Sequence, residues 1–313
     1  MCSICVDSFM FENGERYCHV VDKETGEPLF YPNLYITTQV RNRSESISTM
    51  KVIAGNISLL YRFFYNKNIE IDERIQKMIF LTPNEIDDLV EYTSINFKKA
   101  KPNSFKDIAV KIPTRYFRVT TIANYLEWLC KIHLSLSSQK DKIKEIQIFI
   151  KNIKRKQPRN NSKYNMNIEK SLDENQLDSL FNMLAPGSNS NPFSINVQKR
   201  NNLIFLLLHS FGIRVGELLN LRISDINFSE STISIRRRPN DRSDPRVYQP
   251  LVKTCERKLS VDTTLMLEIS DYILNDRRKI KNAKTPNTNL IRGYSYGLAF
   301  IFYNKCIIKR SIK

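Results

Sequence analysis

Residues 211–226 read Phe211-Gly212-Ile213-Arg214-Val215-Gly216-Glu217-Leu218-Leu219-Asn220-Leu221-Arg222-Ile223-Ser224-Asp225-Ile226, and this stretch decides the fold. The apolar run Leu203–Leu208 stands just before it, so the spacing predicts a helix over about 197–211. Gly212 sits where a left-handed C-cap would stop that helix. Arg214 then opens a short helix, about 214–221, and offers a planar fork of donors at an element end. Such a fork suits bidentate contact with a phosphate. Glu217, one turn later, can pair with and orient it. The bland alternative is an Arg214–Glu217 surface pair without a ligand, which stabilises little. The apolar frame of Leu203–Leu208 and Leu218/Leu219 predicts instead that Arg214 is buried.

Upstream, Leu172-Asp173-Glu174-Asn175-Gln176-Leu177 predicts a helix starting at Ser171 or Asp173, with Leu177, Leu180, Phe181 and Leu184 on one face. Downstream, Thr232–Arg238, Val247–Val252 and Lys258–Val261 read as three short strands, followed by a helix through Ile280. Between the first two strands lies a loop carrying Arg236, Arg237, Arg238, Arg242 and Arg246. Five cations this close repel one another unless neutralised, which predicts a loop that tracks phosphates.

The first half of the chain is mostly helical in period. Tyr17–Val21 and Leu29–Tyr31 predict a hairpin about the turn Lys23–Gly26. Ile53, Ile57, Leu60, Phe63 and Phe64 then stripe a helix from Ile47 to about Tyr65. Thr82-Pro83-Asn84-Glu85 carries the signature of a capping box. Further helices are expected over about 119–134 and 139–153. Residues 151–170 hold seven basic groups, five Asn, Pro158 and one Glu, and cannot build a core. The predicted organisation is an N-terminal extension over 1–40, a helical domain over 41–154, a basic linker over 155–170 and a second domain over 171–313. The fold class is mainly α with a small antiparallel β-sheet.

Charge points to the partner. The 313 residues include 49 Lys+Arg against 32 Asp+Glu, a net +17. The net charge is −4 over 1–40, +12 over 41–170 and +9 over 171–313. Two consecutive positive segments attract polyanions, and nucleic acid releases counterions on binding them. Lys151, Lys154, Arg155, Lys156 and Arg159 are the candidate phosphate contacts around the linker. Apolar runs stop far short of the roughly 20 residues of a spanning helix. The scattered cysteines suit a reducing cytoplasm. Cys2-x-x-Cys5 with Cys18-His19 matches no standard zinc spacing.

The Arg214 segment resembles the first arginine motif of the tyrosine recombinase (phage integrase) family, through Gly212, Arg214, Glu217, Leu218, Leu221 and Ile226. Leu172–Leu177 resembles the entry helix of the family's catalytic domain. Val252-Lys253-Thr254 followed by Arg257–Val261 resembles the family's β-hairpin. Pro32–Tyr35, Leu59–Phe64 and Tyr125–Trp128 look like landmarks of its helical core-binding domain. The resemblance covers roughly residues 30–290. It implies double-stranded DNA as partner, DNA recombination and integration on behalf of a mobile element, and a phosphotyrosine intermediate. No metal, cofactor, membrane or small-molecule substrate is implied, and protomers would assemble on DNA. Arg214 and Lys253 are the implied catalytic residues, with Glu217 supporting and Lys253 protonating the leaving 5′-oxygen. Lys258, across the same turn, is a rival.

The same resemblance calls for a histidine-x-x-arginine motif and then a tyrosine after the hairpin. His19, His133 and His209 all precede Arg214. Among late tyrosines, Tyr303 is the only one placed to tempt as nucleophile, and packing beside Phe300, Ile301 and Phe302 accounts for it better. The sequence therefore predicts a partial catalytic domain, truncated or frameshifted, that does not cleave DNA alone. The alternative is a non-catalytic DNA-binding remnant or a competitor occupying recombination sites. An RNA-binding helical protein is a third reading, disfavoured by the absence of an RRM- or KH-like motif.

Overall fold

The computed structural model describes residues 4–43, 45–97, 109–134, 140–158, 172–244, 246–249, 252, 254–279 and 290–291. The chain divides into two compact units, Met1–Ile168 and Glu169–Lys313. Among the described residues both are mainly helical, each with one small antiparallel sheet.

In the first unit, β1 (Ile4–Met10) pairs with β2 (Arg16–Asp22), Ile4 lying opposite Asp22. Tyr17–Val21 pairs chiefly with Ile4–Met10, and the expected pairing across the Lys23–Gly26 turn is reduced to a Val21–Pro28 bridge with the Leu29 N–H on the Val20 carbonyl at 3.0 Å. The reason is local. Asn33 ends that ladder: it accepts from the Val20 N–H and donates to the Val20 carbonyl, both at 2.8 Å, and donates to the Leu29 carbonyl at 2.7 Å, taking the positions further pairing would need. Leu29 consequently caps α1 (Phe30–Tyr35). The turn at Lys23–Gly26 does form, with Gly26 at φ 74°.

The long helix α2 (Ile47–Asn66) is N-capped by Ser46, whose hydroxyl accepts from the Thr49 N–H. Ser58 and Arg62 on α2 both donate to the Ile4 carbonyl, at 3.2 and 2.7 Å, fixing the hairpin to this helix. Residues 4–40 therefore belong to the same core as the helices. After α3 (Ile71–Gln76), α4 (Pro83–Tyr92) starts with the full capping box between Thr82 and Glu85. The core is closed by α5 (Ile112–Leu134) and α6 (Lys140–Arg155). At its centre Tyr61 donates to Asp72 at 2.5 Å and bonds Tyr125 at 2.6 Å, and Tyr35 and Trp128 pack edge-on to each other. Ile146, Phe149, Ile150 and Ile153 are buried, whereas Ile143 is exposed.

The second unit starts at α7 (Glu174–Leu184), where Asp173 and Gln176 form a capping box. The next helix, α8 (Ile195–Phe211), ends at Gly212, left-handed at φ 56°. A short α9 (Val215–Asn220) follows. The sheet is β3 (Ile226–Asn227), β4 (Thr232–Ile235) and β5 (Arg257–Ser260), antiparallel in that order, and α10 (Thr263–Asp271) leads away. Ile233 and Ile235 face the core formed with Leu203, Leu207, Leu218 and Ile269.

Two strand expectations need correction. The strand at 232 ends at Ile235, and residues 247–248 bend within the segment expected as a strand. The buried Gln249 side chain accepts from the Asp241 N–H at 3.2 Å and donates to the Arg238 carbonyl at 2.8 Å. It occupies sites that strand pairing would use, and Pro245 and Pro250, which lack an N–H, flank it.

Candidate functional site

The left-handed turn at Gly212 reverses the chain so that Arg214 occupies the N-cap of α9 with extended backbone, φ −72° and ψ 150°. At that position a side chain projects off the helix end. Arg214 is accordingly exposed, with 62% of its side-chain surface accessible, while Glu217 retains 1%. The burial expected of Arg214 falls instead on Glu217, because the third helical residue turns back under the cap. The apolar frame packs Leu218, Leu219 and Glu217, and leaves the guanidinium outside.

Glu217 is a hub. Its Oε2 accepts from the Arg214 backbone N–H at 3.2 Å and from Arg257 Nη2 at 2.7 Å. Its Oε1 accepts from the Thr254 hydroxyl at 2.6 Å and from Arg257 Nη1 at 3.4 Å. Arg257 Nη1 also donates to Thr254 Oγ1 at 2.8 Å. The guanidinium of Arg214 stays further away, Nη1 lying 3.9 Å from Glu217 Oε1. Burial pushes the Glu217 carboxyl up, but the bonds from Arg257, Thr254 and the Arg214 N–H outweigh it and leave the group below the ordinary carboxylate range. A buried carboxylate thus remains ionised beside an exposed arginine fork. Sequence reasoning paired Glu217 with Arg214 alone. Arg257 and Thr254, some forty residues on, carry no local signal of this contact beyond their place in the hairpin.

Two of the five loop arginines, Arg238 and Arg246, find close internal partners. Arg238 Nη2 pairs with the buried Asp225, Arg222 Nη2 pairs with Asp241, and Arg246 Nη2 reaches the buried Asp244 at 2.6 Å. Arg236 keeps a looser contact with Asp225 at 3.8 Å, and both Arg236 and Arg237 are exposed. Arg242 is exposed as well. The neighbours Asp244 and Arg246 were the available sequence signal for one of these pairs, whereas Arg222 with Asp241 and Arg238 with Asp225 meet only through the fold.

In the first unit Lys151, Lys154 and Arg155 stand on the last turns of α6, where cations complement the helix dipole. Lys154 lies 3.5 Å from Glu127, and Lys156 bonds Asp87 at 2.7 Å. Lys151 and Lys154 share the rim of a groove of about 410 Å³ with Lys131, above Ile146 and Ile150. Arg159, Lys253 and Tyr303 lie outside the described residues, as does Cys2. Burial holds the Cys18 thiol at about 12, and strand alternation turns Cys18 and His19 to opposite faces of the hairpin. Among the described residues no His, Cys, Asp or Glu cluster suits a metal ion, and no helix is long and apolar enough to cross a membrane.

Residues 170–290 match the model of the phage integrase family. Over 92 residues the chain is 38% identical to the tyrosine recombinase XerA of Pyrococcus furiosus, a match covering 28% of this chain and 30% of that protein. Over 124 residues it is 32% identical to the XerA of Thermococcus onnurineus, 39% of each chain. The matched segments therefore span well under half the length of these relatives. A crystal structure of XerA recombinase aligns over 87% of this chain and 74% of its own, at 18% identity and a TM-score of 0.30. The matched region spans α7 to the end of the second unit's core and contains the Gly212–Ile226 segment that places Arg214 over Glu217. Over that region the chain is similar to the tyrosine recombinase (phage integrase) family.

Proposed function

We propose that the chain binds double-stranded DNA and takes part in site-specific recombination and integration, with Arg214 engaging the phosphate at which strands are exchanged. The observation that carries this reading is the exposed Arg214 fork, seated at a helix start by a buried, ionised Glu217. A guanidinium held there stabilises the charge that develops on phosphoryl oxygens as phosphorus is attacked. Lys253, immediately before Thr254 in the chain, is the proposed general acid for the leaving 5′-oxygen. Arg236, Arg237 and Arg242 supply backbone contacts in the second unit. Lys151, Lys154, Arg155, Lys156 and Arg159 do so in the first, with protomers assembling on DNA. The setting is the cytoplasm of a cell carrying a mobile element.

Charge stabilisation and a proton donor do not break a phosphodiester without a nucleophile. All three histidines precede Arg214. This favours a second reading in which the sequence as given occupies recombination sites without cutting them. A duplex carrying a nick beside the cleavage position traps a 3′-phosphotyrosyl adduct, visible as a shifted band on a denaturing gel. A band lost in Tyr303→Phe supports cleavage by this chain with Tyr303 as nucleophile. Binding without a band supports the occupying role. Absence of salt-dependent DNA binding refutes both.

A further inference from the structure

Arg214 and Arg257 share one counterion, and they share it unequally. Arg257 places both terminal nitrogens on Glu217, at 2.7 and 3.4 Å, and is braced by Thr254 at 2.8 Å. Arg214 gives Glu217 a backbone N–H at 3.2 Å but leaves its guanidinium at 3.9 Å, beyond hydrogen-bonding distance. The carboxylate is thus satisfied by four donors, none of which is the Arg214 side chain. We propose that Arg257 is a positioning residue for the phosphate-binding arginine: by saturating Glu217 it keeps the Arg214 guanidinium uncommitted and turned outward. This inference rests on the DNA-binding reading given above.

The physical argument concerns what Glu217 does without Arg257. The side chain retains 1% of its surface and water does not satisfy it. A buried carboxylate that loses its main cation either takes up a proton or draws in the nearest remaining one. Among the described residues that cation is Arg214, already within 3.9 Å and on a long flexible side chain. A shift of about 1 Å would make a close ion pair of ordinary length. The fork would then face inward, and its charge would no longer be available to a phosphate. Arg257 and Thr254 therefore act on the external anion through Glu217, without touching it.

The test is the salt dependence of binding to a generic duplex, measured for the full chain and four variants whose melting temperatures are recorded alongside. Each phosphate contact contributes about 0.9 to the slope of log affinity against log salt. Arg214→Ala is expected to lower the wild-type slope by about 0.9, and Arg257→Met by the same amount although Arg214 is intact. Glu217→Gln combined with Arg257→Met is expected to restore the wild-type slope, because the amide no longer captures Arg214. Arg257→Lys, which keeps a charge beside Glu217 but loses the two-nitrogen grip, is expected to fall between wild type and Arg257→Met. The proposal is overturned if folded Arg257→Met keeps the wild-type slope. It is equally overturned if the double variant fails to restore it, since Arg257 would then contact phosphate directly. A wild-type slope near zero removes the DNA-binding reading and this inference together. A normal wild-type slope that drops only in Arg214→Ala removes this inference alone.

Discussion

Arg246 grips Asp244 through two nitrogens, Nη2 at 2.6 Å and Nε at 2.8 Å, and the acid is buried. Arg246 Nη1 and Nη2 each lie 3.3 Å from the Leu219 carbonyl as well, tying the arginine loop to α9. A cation so engaged holds the loop and is poorly placed to meet an external anion. Arg246→Ala should therefore lower the melting temperature of the second unit, by an amount equivalent to about 2 kcal/mol, because it leaves Asp244 buried with fewer donors. Its effect on the salt slope of DNA binding should be small. Arg237→Ala with Arg242→Ala, both exposed, should do the opposite: flatten the slope and leave thermal stability within about 0.5 kcal/mol. Calorimetry and filter binding on the same two variants separate the roles.

Gly212 holds φ 56° between α8 and Arg214, with open space where a Cβ would stand. Gly212→Ala should cost about 1 kcal/mol from backbone strain alone, without steric clash. The cost should appear as a lower denaturant midpoint with an unchanged m-value.

The two units have separate cores, one containing Leu129 and the other Leu207, both fully buried. Leu129→Ala and Leu207→Ala should each cost about 3 kcal/mol in its own unit. Unfolding followed by hydrogen exchange should show protection lost in residues 47–155 for the first variant and in 195–271 for the second. Equal loss in both units from either variant would show that they unfold as one.

Glu85 gives the first unit an acid limb. The Arg74 guanidinium, at 2.7 Å, and the capping bonds from Thr82 hold its carboxyl down at about 2, against an ordinary 4.5. Its stabilisation is complete above pH 4.5, where the unfolded chain is also ionised, and disappears as pH falls toward 2. Arg74→Met should flatten that part of the stability profile, and chemical denaturation at a series of pH values measures it.

Much of this architecture was legible because helices announce themselves locally. The Thr82–Glu85 and Asp173–Gln176 boxes and the Gly212 stop all stand where residue type and period put them. Strand pairing is a choice among distant partners, and there local reading failed. Nothing in Leu29-Phe30-Tyr31 announces that Asn33 will fill the edge of β2, and nothing in Val247–Val252 announces that Gln249 will plug the loop. The site followed the same division. Arg214 and Glu217 were visible as neighbours three residues apart. Their division into an exposed cation and a buried anion depends on Arg257, which only the folded hairpin delivers.

The bonds from Ser58 and Arg62 that pin the first strand to α2 also fix where the charge of the first unit lies. Residues 1–40 carry −4 and residues 41–170 carry +12. Because the hairpin is bonded to α2, its negative net charge is held against the helices and does not swing away from them. Near a polyanion the unit experiences a torque as well as a pull, within the screening distance of about 8 Å at physiological salt.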